Sequence, residues 1–202
     1  MDGFIEINLR ALINALGQDE AKKILASFSC PKNPDLQKFL HDKAIVFSTQ
    51  GITQTHLVFC SYRDEPTLVA YYSLTYKTIL VKRSSVSART ARRVARYGRY
   101  NTGNGCYEVP APLIAQLGKN FTNNYNTLIS GDLLLDFACR KVTMVQDEVG
   151  GRIVYLECED IPKLTSFYDR NGFCNFGRRV LDRDERDLMS GEYLIQMLKY
   201  LG

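Results

Sequence analysis

The spacing of apolar positions changes several times along the chain, and each change marks a new element. Leu9, Leu12, Ile13, Leu16, Ile24 and Leu25 fall near helical spacing with Gly17 between them, which predicts two short helices, the second capped by Asp19. After the breaker-rich turn Cys30-Pro31-Lys32-Asn33-Pro34, Asp35 opens an amphipathic helix through Leu36, Phe39, Leu40 and Ala44. Two strand runs follow, Thr55 to Tyr62 and Thr67 to Tyr76, joined by polar Arg63-Asp64-Glu65-Pro66 as an antiparallel hairpin.

The second half alternates strands and helices. Leu113 to Leu117, started by Pro112 and stopped by Gly118, reads as a short strand buried on both faces. Lys119 to Tyr125 has loop composition, and Ser130 then precedes Leu133, Leu134, Leu135, Phe137 and Ala138 as the cap of a helix. Ile153 to Leu156 is another buried strand. Pro162 opens a helix with Leu164, Phe167 and Tyr168 inward, and Asn171-Gly172 ends it. Phe173 to Leu181 and Tyr193 to Tyr200 are candidate closing strands around a charged turn, Asp182 to Asp187, with helix as the alternative for the last run.

A loop feeding a helix N-terminus gathers unpaired N–H groups and the positive end of the helix dipole, so the stretch before Leu133 is a generic anion site or an ordinary capped helix. Composition adds bounds. With 202 residues, 45% apolar and 24% charged, the chain supports one sizeable core, and a single domain over residues 1–202 is expected. The six cysteines show no Cys-x-x-Cys spacing and lie mostly in apolar runs, which favours reduced packing thiols over a metal cage. Neither a secretory signal nor an apolar run of bilayer length is visible, so a cytoplasmic protein without a membrane partner is expected. His41 and His56 are too few for a metal site or a triad and are assigned structural roles.

The net charge of +4 says little about partners, but its distribution says more. Lys82, Arg83, Arg89, Arg92, Arg93, Arg96 and Arg99 occur without an acidic residue until Glu108, interleaved with Tyr97, Tyr100 and Tyr107. A helix over Ser84 to Arg99, with Val86, Ala91, Val94 and Ala95 inward, would put Arg89, Arg92, Arg93 and Arg96 on one face. Such a face suits phosphates; the alternatives are a solvated cationic face and one paired with the acids near Asp182 to Asp187.

The order strand, loop, Leu-Leu helix, strand and helix ending Phe167-Tyr168-Asp169-Arg170-Asn171-Gly172-Phe173 resembles the GNAT family of acetyl-coenzyme A-dependent N-acetyltransferases. The pattern Phe28-x-Cys30, a turn, Leu36-x-x-Phe39-Leu40 and Ala44 also resembles the subgroup that includes tRNA-acetylating toxins. The resemblance implies an α+β fold: a mixed, mostly antiparallel central sheet flanked by helices, with a splayed cofactor-binding strand pair and, here, a basic insertion at about 82–107.

It also implies acetyl-CoA as co-substrate, with no metal. Gln116, Leu117 and Gly118 would meet the thioester and pantetheine, and Asn126, Ile129, Ser130, Gly131 and Asp132 the pyrophosphate. The family's loop motif is Gln/Arg-x-x-Gly-x-Gly/Ala. Counting back from Leu134-Leu135 places Asn126 on its first position, Ile129 on its middle glycine and Gly131 on its last; a shift of one residue puts Ser130 last and leaves the middle position equally without glycine. A β-branched residue resists positive φ and holds the backbone away from a phosphate.

Tyr168 would be the general acid toward the leaving thiolate, holding its proton at neutral pH with a reference pKa of about 10. The base stays unassigned among Glu108, Glu157 and Glu159. Arg89, Arg92, Arg93 and Arg96 would form the substrate surface, and the acceptor would be an aminoacyl-tRNA, a protein amine or a small amine. A homodimer is a further expected partner state. The alternatives are a GNAT-like binding protein that has lost catalysis and an RNA-binding protein that uses the basic segment alone.

Overall fold

A computed structural model of the chain describes residues 3–181 and 192–202, so the charged turn expected at Asp182 to Asp187 lies outside the described residues. Two compact units are present, Met1–Thr75 with Ala115–Ala138 and Tyr76–Ile114 with Cys139–Gly202.

The first unit begins with β1 (Phe4–Asn8), α1 (Leu9–Leu16), α2 (Gln18–Ala26), α3 (Pro34–Lys38), a π-turn at Phe39–Lys43 and α4 (Ala44–Gln50). It continues with β2 (Gln54–Tyr62) and the start of β3 (Glu65–Lys82), and it also takes the end of β5 (Cys106–Lys119) and the start of α6 (Gly131–Val149). β1 pairs antiparallel with β2 from Phe4↔Cys60 to Asn8↔His56, and β2 pairs antiparallel with β3 from Gln54↔Leu74 to Tyr62↔Glu65. The hairpin is tighter than the four polar residues suggest. Arg63 and Asp64 both take positive φ, 54° and 66°, so two residues make the turn and the strands run up to them.

Several local expectations are corrected here. β1 was not anticipated, because Phe4-Ile5-Glu6-Ile7 is too short to show a period on its own and is fixed by pairing with β2. Gly17, at φ 84°, separates the first two helices and itself occupies the cap of α2, leaving Asp19 in the first turn where its charge still suits the dipole. Asn33 rather than Asp35 caps α3, accepting from the Leu36 N–H at 3.3 Å, with Pro34 as the first helical residue.

The helices cover a sheet face through one cluster that includes Leu9, Leu12, Ile13, Leu25, Phe28 and Leu40 with Leu57, Leu68 and Tyr71. Tyr71 is fully buried, lies edge-on to Phe28 at 5.0 Å, and donates its hydroxyl to the Leu36 carbonyl at 2.6 Å. That bond lets a polar-tipped ring sit where an apolar one would otherwise be needed. Each such side chain contributes about 1.5–3 kcal/mol on burial.

The second unit holds the remainder of β3, β5 and α6, together with α5 (Ala88–Val94), β4 (Arg99–Asn101), β6 (Ile153–Glu159), α7 (Pro162–Arg170), β7 (Cys174–Val180) and β8 (Tyr193–Tyr200). β4 pairs antiparallel with β5, β6 antiparallel with β8, and β8 antiparallel with β7. β5 and β6 are parallel, in register at Leu113↔Tyr155 and Ile114↔Leu156. The fold class is thus α+β, mixed and mostly antiparallel.

The strand expected at Leu113 to Leu117 is longer than that and runs through Pro110, Pro112 and Gly118. Its two prolines are two residues apart, so their missing N–H groups fall on one edge, between the last β4 pair at Glu108 and the first β6 pair at Leu113.

The helix expected over Ser84 to Arg99 is cut to Ala88–Val94, capped by Ser87 accepting from the Thr90 N–H at 3.1 Å. Ala91 and Val94 are buried as expected, whereas Ala95 is exposed. Beyond the helix the chain passes so close to β5 that only glycine fits at Gly98, where an added Cβ would lie 2.6 Å from Val109 Cγ2 and 2.8 Å from the Glu108 carbonyl oxygen.

Candidate functional site

The first unit carries the residues expected to meet the cofactor. At the end of β5, Gln116 donates from Nε2 to Asp35 Oδ2 at 3.1 Å, which ties the strand to α3. Leu117 is half-buried. Gly118 is buried beneath α3, where a Cβ would meet Leu36 Cδ1 at 3.0 Å, Phe28 Cζ at 3.4 Å and Tyr71 Cε1 at 3.5 Å. Close packing, not a special φ, is the reason for glycine there.

Asn120, which follows the strand, is fully buried and uses both ends of its amide. Nδ2 donates to the carbonyls of Leu68 at 2.8 Å and Ser27 at 3.2 Å, while Oδ1 accepts from the N–H groups of Ser29 at 2.9 Å and Thr122 at 3.0 Å. The loop beyond turns through Asn123 and Asn124 at φ 49° and 61°, a conformation that asparagine tolerates. Lys119 Nζ donates to the carbonyls of Asn126 at 2.7 Å and Ile129 at 3.1 Å.

Ile129 is 2% exposed, so its branched side chain points into the protein and the outer side of the loop is left to main chain and small residues. Ser130 caps α6 as expected, accepting from the Leu133 N–H at 3.1 Å. Gly131 and Asp132 form the first turn, with Asp132 exposed.

Tyr168 lies in the second unit, at the end of α7. Gly172, at φ 84°, stands just past that helix, and two bonds close the end: Phe173 N–H to Tyr168 O at 3.1 Å and Gly172 N–H to Asp169 O at 2.9 Å. This is a Schellman cap, completed by the Phe173 ring packing on Tyr168 at 5.9 Å. Phe167 flanks Tyr168 at 4.9 Å.

The Tyr168 hydroxyl has no hydrogen-bond partner among the described residues. Burial, reinforced by the Cys158 thiol, pushes its phenol well above the usual value near 10. Cys158 itself is pushed up to about 12 by burial and by Asp160, Glu159 and Asp169, so it stays a neutral thiol beside the ring.

Two of the carboxylates considered as bases are engaged. Glu157 accepts from Arg179 Nε at 2.7 Å and from Gln196 Nε2 at 2.8 Å, and Glu108 accepts from Asn101 Nδ2 at 2.9 Å. Both oxygens of Glu157 therefore already face donors.

The four arginines do not act as one face. Arg89, Arg92 and Arg96 are exposed, while half-buried Arg93 lies over the Tyr200 ring at 4.5 Å. Tyr200 in turn meets the Tyr97 hydroxyl at 3.4 Å.

No protein-family model matches the chain, and no curated protein does. Solved structures do match. AtaT complexed with acetyl-methionyl-tRNAfMet aligns with a TM-score of 0.62 at 15% identity, over 95% of this chain and 93% of that one. A Tyr-to-Phe mutant of KacT aligns at 0.61 and 16% identity, over 96% and 94%. AtaTR bound with AcCoA aligns at 0.56 and 16% identity, over 96% and 93%.

The chain has the GNAT fold.

Within the GNAT fold, the residues named from the sequence include the loop, the Ser130 cap and Tyr168, and do not include Lys119 and Asn120, whose side chains bond across the same loop. A signal for the first existed, since Lys119 is the only charged residue between Glu108 and Asp132. Among the described residues, no cluster of His, Cys, Asp and Glu could hold a metal ion, and no helix is long and apolar enough to cross a membrane.

Proposed function

We propose that the chain is an acetyl-CoA-dependent N-acetyltransferase whose acceptor is the free α-amine of an aminoacyl-tRNA, with Tyr168 as proton donor. The observation that carries this is the Tyr168 hydroxyl: a ring fixed by a helix cap and two aromatic neighbours ends in an O–H without a partner. A hydroxyl held in place, without an internal partner and not sealed from solvent, is free to meet a ligand atom.

The loop residues suit a phosphate. The inward side chain of Ile129 leaves the outer side of the loop clear, and the N–H groups of Ser130 and Gly131 stand at the positive end of a 19-residue helix. Gln116, Leu117 and Gly118, at the end of β5, are the strand segment assigned to the thioester arm. Bound acetyl-CoA supplies the activated acyl group.

Tyr168 gives its proton to the departing sulfur as the amide C–N bond forms and the thioester C–S bond breaks. It then recovers a proton from water, which has taken one from the amine. Because burial raises its pKa, it keeps that proton through the neutral range. An α-amine with a reference pKa near 8 is partly neutral there and needs no dedicated carboxylate.

Arg89, Arg92 and Arg96, exposed on one segment, supply contacts to tRNA phosphates, and the AtaT complex with acetyl-methionyl-tRNAfMet supports that class of acceptor. The test is transfer of labelled acetyl from acetyl-CoA to a panel of aminoacyl-tRNAs. Tyr168→Phe is expected to slow transfer by about 10²–10³-fold while leaving acetyl-CoA binding intact. Transfer within about threefold of the native rate would remove Tyr168 from the mechanism.

A further inference from the structure

We propose that Lys119 organises the phosphate-binding loop, taking over at the two positions where the loop departs from its family's pattern. The proposal rests on the acetyl-CoA reading above and deepens it. Asn126 and Ile129 stand where that pattern has Gln or Arg and a glycine, and the carbonyls of these same two residues are the ones held by Lys119 Nζ, at 2.7 and 3.1 Å.

The bond to Ile129 sets the direction of the next donor. In a planar trans peptide the C=O and the following N–H point opposite ways, so a carbonyl drawn to Lys119 turns the Ser130 N–H away from it. That N–H has no partner among the described residues. A glycine would reach such an arrangement through its own φ freedom; here a lysine imposes it from beneath on a residue that lacks that freedom.

The charge matters as well as the bonds. Lys119 has only carbonyls as hydrogen-bond partners and no carboxylate among the described residues. Burial, with the neighbouring Lys32 adding to it, lowers its pKa. A half-buried cation near a second lysine and without a counter-ion is a place where an anion gains from binding.

Asn120 fixes the base of the same loop through four hydrogen bonds, so the ammonium acts on a rigid frame. The loop then lies between the ammonium and the phosphates, with the Ser130 N–H turned toward the phosphates.

The experiment compares native protein with Lys119→Met, which removes charge and bonds, and Lys119→Gln, which keeps a donor. Each is measured for KM and kcat with acetyl-CoA and with acetyl-pantetheine, which carries the thioester but no phosphate. Lys119→Met is expected to raise the KM for acetyl-CoA about tenfold, the effect of one unit charge a few ångströms from a phosphate in a partly wetted site. Lys119→Gln is expected to fall between, with kcat and the KM for acetyl-pantetheine unchanged in both.

An equal rise in KM for both donors would overturn the proposal, since it would make Lys119 a general support of the fold. If native protein neither binds acetyl-CoA, read directly by calorimetry, nor uses it, the underlying reading fails and this one with it. Native binding with unaltered affinity in Lys119→Met would overturn the lysine's role alone.

Discussion

Two short stretches reach a similar end by different means, the loop at 119–132 and the helix end at 167–173. The helix end matches the GNAT pattern, and the geometry shows what its residues do: Gly172 takes the positive φ, the Phe173 N–H closes on the Tyr168 carbonyl, and the Phe173 ring packs on the tyrosine. The loop has Ile129 where the GNAT pattern has a glycine, and Lys119 and Asn120 bond to its backbone and its base from outside. A requirement met by backbone conformation is visible in the residue that meets it. A requirement met by a tether can move elsewhere in the chain.

The contrast can be strained at several points. The largest loss of stability is expected at Asn120→Ala, about 3–4 kcal/mol. That change strands the N–H groups of Ser29 and Thr122 and the carbonyl of Leu68 in a buried place. Urea denaturation measures it, and a loss below about 1 kcal/mol would mean that water replaces the amide easily.

Ile129→Gly introduces the glycine of the GNAT loop pattern, yet it is expected to cost about 3 kcal/mol, from the emptied apolar site and the freed backbone, with no gain in acetyl-CoA affinity. Tighter cofactor binding in that variant would show that the loop still depends on its own φ freedom.

Gly172→Ala is expected to cost about 1–2 kcal/mol. The nearest atom to the new Cβ, Lys199 Cε at 3.6 Å, is an ordinary contact, so the cost is one of φ alone. Acetyl transfer should fall further than stability explains, because the same cap orients Tyr168. A variant that is less stable but fully active would separate the cap from the chemistry.

The elements were legible wherever a period ran long enough. The β2–β3 pair, the Ser130 cap, the strand at Ile153 and the helix ending at Tyr168 all follow from local spacing and capping residues. Failures came where a distant partner decided. Pro112 and Gly118 read as strand breakers but lie within β5, since one edge of that strand tolerates prolines and Gly118 sits under α3. Arg93 was grouped with its exposed neighbours, yet a tyrosine more than a hundred positions away draws it aside.

By itself, the sequence determined the order of the parts and the tyrosine at the end of α7, and through its resemblance to the GNAT family it implied the class of fold. The order of parts rests on hydrophobic period, on caps and on a glycine's φ, which are properties of neighbouring residues. Only the tertiary structure decided that Ile129 turns inward, that Lys119 reaches across the loop to two carbonyls, and that Glu157 is already held by donors. Side-chain direction and hydrogen-bond partnership depend on what the folded chain brings within about 3 Å, and no local pattern encodes that.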